Sequence, residues 1–107
     1  MMRPTTKIDV FSFGIIVMEF MTKRRPTAEI EDNGEELALQ DYVGNAVGGG
    51  VQSVVSILDS DMNLATEIEV EKVVGVLELA LSCVRPAAGD RPNMNEVLAS
   101  LLKLNKD

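Results

Sequence analysis

Lys7-Ile8-Asp9-Val10-Phe11-Ser12-Phe13-Gly14-Ile15-Ile16-Val17-Met18-Glu19-Phe20-Met21-Thr22-Lys23 is the stretch on which the fold turns. Val10, Phe11, Phe13, Ile15, Ile16, Val17, Met18, Phe20 and Met21 point in nearly every direction around a 3.6-residue wheel, with only Ser12, Gly14 and Glu19 as breaks. A helix of this kind must be buried on most of its sides. Thr6 and Asp9 have the spacing of a capping box, in which the hydroxyl takes one free amide and the carboxylate reaches back to another. The helix is therefore expected to begin near Lys7. Lys23, Arg24 and Arg25 suit the negative end of the helix dipole, and Pro26 forbids continuation, which places the end near Lys23. Gly14 is read as a point where another backbone comes too close for a side chain.

Downstream, residues 27–36 carry Glu29, Glu31, Asp32, Glu35 and Glu36 around Asn33-Gly34, a composition expected to form an exposed acidic loop. Leu37, Leu39, Tyr42, Val43, Ala46 and Val47 recur at helical spacing and predict a helix over Leu37 to Val47, ended by Gly48-Gly49-Gly50 through glycine's freedom at positive φ. Val51 to Leu58 reads as either a strand or a helical turn, and a short helix is preferred. Thr66-x-x-Glu69 and Asn93-x-x-Glu96 repeat the capping-box spacing. Between them Ile68, Val70, Val73, Val74, Leu77, Leu81 and Val84 form one apolar face, predicting a helix over Glu67 to Val84 that Pro86 stops. Met94, Val97, Leu98, Leu101, Leu102 and Leu104 form another, predicting a last helix over Met94 to Leu104.

The chain of 107 residues is 46% hydrophobic and 25% charged, the balance of one globular unit with a small core. Its formal charge of -7 disfavours nucleic acid and direct contact with an anionic membrane. Cys83 cannot form an internal disulfide, lies in an apolar run and is expected to be a buried structural thiol in a reducing, intracellular setting. No stretch reaches the about 18 consecutive apolar residues of a bilayer span, and no charged-then-apolar leader opens the chain, so a soluble piece is expected. The absence of histidine removes imidazole metal ligands and the commonest general base.

Asp9-Val10-Phe11-Ser12-Phe13-Gly14 resembles the D-x-[WFY]-[SA]-x-G signature that opens the long central helix of the carboxyl-terminal lobe of eukaryotic protein kinases, and Asp90-Arg91-Pro92 resembles that domain's late D-R-P element. The two stand in the family's order and at its distance. The wider words Thr5 to Gly14 and Asp90 to Val97 resemble plant leucine-rich-repeat receptor-like serine/threonine kinases, most of all the flagellin-sensing type. The resemblance implies an all-α, incomplete portion of a kinase-like fold without a sheet. Residues 1–107 would be a partial kinase domain running from the central helix to the last helix. The parent would be a signalling kinase anchored at the cytoplasmic side of the plasma membrane.

The resemblance also implies structural roles for three residues. The aspartate matching Asp9 accepts amides of the catalytic loop, Gly14 allows close packing, and the arginine matching Arg91 pairs with the glutamate of an A-P-E element. Without those partners, Asp9 reads as a helix-capping carboxylate and Arg91 as half of a surface pair with Asp90 or Glu96. The parts needed for phosphoryl transfer are missing from these residues, which contain no G-x-G-x-x-G, V-A-I-K, H-R-D or D-F-G. No catalytic, cofactor-binding or metal-binding residue is therefore assigned. ATP and magnesium belong to the intact family domain. Gly48-Gly49-Gly50 lacks the Lys-Ser/Thr of a phosphate loop, and the carboxylates from Glu29 to Asp41 lack the alternation of a calcium loop. The expectation is a non-catalytic carboxyl-terminal kinase fragment whose partner is the missing amino-terminal part of the domain or another kinase, with self-association through uncovered apolar surface. The alternative is a small interaction protein that binds or competes with an intact kinase.

Overall fold

The computed structural model describes residues 7–23, 30–32, 35–59, 62, 64 and 66–105. Along the chain come helix α1 (Lys7–Thr22), strands β1 (Ile30–Asp32) and β2 (Glu35–Leu37), helices α2 (Leu39–Gly48), α3 (Val51–Ile57) and α4 (Glu67–Cys83), a single 3₁₀ turn at Ala88–Asp90, and helix α5 (Met94–Leu104). The all-α class expected from the sequence holds, with one correction. β1 and β2 pair antiparallel, with Ile30 opposite Leu37, Glu31 opposite Glu36 and Asp32 opposite Glu35, where an acidic loop and no sheet were expected. The acidic composition reads as that of a solvated loop, whereas Asn-Gly, here Asn33-Gly34, between two short runs is also a preferred hairpin-turn pair. Those two residues and 27–29 lie outside the described residues. Because Leu37 ends a strand, α2 starts at Leu39.

α4 is the hub, in contact with α1, α2, α3 and α5. Leu77 and Ala80 on α4 meet Met18 of α1, Leu39 and Val43 of α2, and Val54 and Ile57 of α3 in the main buried cluster. A smaller cluster of Val10, Cys83 and Val97 joins α1, α4 and α5. Helix starts are set by side chains. The Thr66 hydroxyl accepts the Glu69 amide at 3.1 Å, and Asn93 and Glu96 exchange amides at 2.8 and 2.9 Å in a full capping box. Thr6, the expected cap of α1, lies outside the described residues. So do Arg24, Arg25 and Pro26. α1 ends where Lys23 takes a left-handed conformation (φ 56), and the buried Thr22 hydroxyl donates to the Met18 carbonyl at 2.8 Å.

Val51–Ile57 resolves as helix for a packing reason. Val54 and Ile57 are both buried, and residues three apart share a helix face but point to opposite faces of a strand. Gly50 makes the junction, with φ 97 and ψ -178, and its carbonyl accepts the Val54 amide at 3.1 Å.

That backbone region is essentially restricted to glycine, so Gly50→Ala should cost about 1–3 kcal/mol. Gly48→Ala, in an ordinary helical position where a Cβ would meet nothing within 4 Å, should be neutral or stabilising by up to about 1 kcal/mol. Urea unfolding of the two variants checks the pair; equal midpoints would contradict it.

Candidate functional site

The three residues singled out by sequence, Asp9, Gly14 and Arg91, lie on or against the first half of α1. Gly14 is buried where α1 meets the end of α4. A Cβ placed there would stand 2.7 Å from the Ala80 carbonyl oxygen, 2.8 Å from Val84 Cγ1 and 2.9 Å from Cys83 Cβ. A carbonyl and a Cβ cannot swing aside, so the helix axes are held at a separation that only glycine permits.

Val10, one turn before Gly14, is consequently buried against Cys83 and Val97. Burial pushes the Cys83 thiol up, and a hydrogen bond from Ser82 draws it partly back. This is a structural sulfur, as its apolar surroundings implied.

Arg91 does not form the surface pair expected of it. Among the described residues it pairs with neither Asp90 nor Glu96. Its Nε donates to the Arg85 carbonyl at 2.7 Å, one terminal nitrogen to the Pro86 carbonyl at 3.2 Å and the other to the Lys7 carbonyl at 3.3 Å. The guanidinium carbon stands 4.9 Å from the centre of the Phe11 ring. Lys7 reciprocates, its ammonium donating to the Arg91 carbonyl. Arg85 closes the loop by donating to the Asp90 carbonyl at 3.1 Å. The planar fork thus binds the chain leaving α4 to the start of α1, with ring stacking beside it. Lys7 and Phe11 were not legible as its partners, because positions 7 and 91 are 84 residues apart and no local pattern links them.

Asp9 lies exposed in the first turn of α1, where a carboxylate favours the positive end of the helix dipole. Ser12, Ile16 and Phe20 follow it at spacings of three, seven and eleven, which places all four on one face. That face is uncovered: Ile16 is 62% and Phe20 78% exposed, and neighbouring Ile8 is 73% exposed. The helix that should be buried on most sides is buried on one. Among the described residues, no group of three or more His, Cys, Asp and Glu side chains could hold a metal, and no helix is long and apolar enough to cross a membrane.

No family model matches the chain. It is 38% identical over 99 residues to the L-type lectin-domain containing receptor kinase S.1 of Arabidopsis thaliana, an alignment covering 92% of this chain and 14% of that protein. It is 32% identical over 106 residues to the LRR receptor-like serine/threonine-protein kinase RGI1 of the same plant, covering 99% of the chain and 9% of the relative. Against the LRR receptor-like serine/threonine-protein kinase SIK1 of Oryza sativa subsp. japonica the identity is 35% over 102 residues, covering 95% and 10%. The homologues of this chain are plant receptor-like kinases. The chain spans about a tenth of the length of these relatives.

Gly14→Ala sets two effects against each other. Alanine gains up to about 1 kcal/mol of helix propensity, whereas forcing a methyl against fixed atoms costs about 1–3 kcal/mol. The clash should win and lower the midpoint of thermal unfolding, by roughly 4–8 °C for each net kcal/mol in a chain of this size; an unchanged or higher midpoint would show that the helices separate freely.

Cys83 carries a pH consequence. Its folded pKa is raised, so above the ordinary thiol range the unfolded chain has lost a proton that the folded chain keeps, and stability should fall as pH rises. Cys83→Ala should flatten that alkaline slope in urea titrations at successive pH values.

Proposed function

We propose that residues 1–107 are the helical carboxyl-terminal part of a receptor-like serine/threonine kinase domain, acting as a non-catalytic scaffold that seats the preceding part of a kinase domain on the bare face of α1. The observation that carries this reading is the exposed row of Ile16 and Phe20 in line with Asp9, with Ile8 beside it, on a helix whose other side is tightly packed at Gly14. Full burial of one such side chain contributes about 1.5–3 kcal/mol, so covering three supplies several kcal/mol for association.

Homology to receptor-like kinases supports the assignment, and the words Thr5 to Gly14 and Asp90 to Val97 favour the leucine-rich-repeat branch nearest the flagellin-sensing type. The parent would carry out ATP-dependent protein phosphorylation on the cytoplasmic side of the plasma membrane. Asp9 would take backbone amides of the arriving catalytic loop, while Gly14 and Arg91 hold α1 in place to receive it. These residues include none of the phosphate-cradling or base-supplying motifs, so ATP and magnesium would be held by the arriving part.

Calorimetry of the purified chain with ATP should show no binding, and the chain should transfer no phosphate. A separately produced amino-terminal piece of a receptor-like kinase domain should raise its melting temperature, by the equivalent of about 2.7 kcal/mol when the piece is present at 100 times its dissociation constant. Ile16→Glu with Phe20→Glu should abolish that shift. A sharp melt from a strictly monomeric chain, indifferent to the added piece, would overturn the scaffold reading and favour a small self-sufficient interaction protein.

A further inference from the structure

At the opposite end of α4 from Gly14 lies a second feature. An apolar groove of about 390 Å³ opens between the starts of α3 and α4, lined by Val51, Leu64, Thr66, Glu67, Val70 and Glu71. Glu71 and Ala80 are nine residues apart, about 13 Å along the helix axis, so the groove is separate from the contact at Gly14. Val51, Leu64 and Val70 form its apolar part, and Val51 is 53% exposed.

Glu67 and Glu71 are exposed one turn apart on the same face of α4. Neither has an ion pair or hydrogen bond among the described residues, whereas nearby Glu69 and Lys72 both have partners. Two like charges thus repel each other beside an apolar trough, and an incoming cation would relieve that repulsion.

We propose that this groove docks a short basic and apolar segment of a partner protein, with one aliphatic side chain against Val51, Leu64 and Val70 and lysine or arginine on Glu67 and Glu71. Charge complementarity selects this occupant. A second copy of the chain brings a further net charge of -7, and nucleic acid or an anionic lipid surface would be repelled by the rim. The inference stands apart from the seating of a kinase piece on α1, because it uses a different face and a different kind of partner.

The test is titration of the isotopically labelled full chain with a short lysine–leucine peptide, followed by amide shifts and by fluorescence of the labelled peptide. Saturable binding with shifts centred on Val51, Leu64 and Val70 is expected. Glu67→Lys with Glu71→Lys should weaken it at least about tenfold, a loss of about 1.4 kcal/mol. Reversing two remote exposed carboxylates, Asp41→Lys with Glu78→Lys, changes net charge equally and should weaken it far less. Circular dichroism establishes that each variant keeps the helical fold. Equal weakening by both double variants, shifts centred on Ile16 and Phe20, or no binding at all would each overturn the proposal.

Discussion

The contact between α1 and α4 at Gly14 is the constraint on which the rest of the molecule depends. With a Cβ excluded by the Ala80 carbonyl and by Cys83, the two helices meet backbone to backbone. The neighbouring turns then fall into place. Val10 packs on Cys83 and Val97, which brings in α5. Met18, on the same face two turns from Val10, joins the main cluster with α2, α3 and α4. Side chains on the far side of α1 are turned away from every described helix by the same rotation. The exposure of Ile16 and Phe20 is therefore the geometric complement of the burial of Gly14.

Arg91 fixes what the apolar contact leaves free. Helix packing sets a separation and a crossing angle, but it does not pin the first turn of a helix that starts beside a loop. Three carbonyls accept from one guanidinium, and hydrogen bonds from a charged donor are stronger than those between neutral groups. The guanidinium carbon also lies over the Phe11 ring, 4.9 Å from its centre, which adds a cation–π attraction. These contacts tie the start of α1 to the segment between α4 and α5 and so fix the direction of the face bearing Asp9, Ile16 and Phe20. Positioning of this kind is what a scaffold for another chain segment requires.

Kinase parentage and the proposed scaffold role are compatible once the parts are separated by role. Phosphoryl transfer requires groups that touch phosphate, metal and the attacking hydroxyl, and such groups need a platform. The helices described here have the properties of a platform: a packed hub in α4, well-formed caps on α4 and α5, and apolar surface in excess of what five helices can cover among themselves. The acidic rim at Glu67 and Glu71 lies at the other end of α4 from Gly14 and has its own electrostatic logic.

Much of this was written in local sequence. Periodic apolar residues placed the helices within two residues of their observed ends, and Asn93-x-x-Glu96 and Thr66-x-x-Glu69 announced their caps, because capping is a contact between residues three apart. Gly14 was legible as a close approach through its place in the kinase-like signature Asp9 to Gly14, where a side chain would obstruct a neighbouring backbone. What faced Gly14 was not legible, nor were Lys7 and Phe11 as partners of Arg91, because those contacts join positions 66 to 84 residues apart and leave no periodicity behind. The hairpin at Ile30–Asp32 and Glu35–Leu37 was not legible in the sequence, because its acidic residues and Asn33-Gly34 together have the composition of a loop. The bare side of α1 was decided by tertiary structure alone: the sequence determined that the helix is apolar all round, and only the placement of α4, α2 and α5 against one side decided which residues remain exposed.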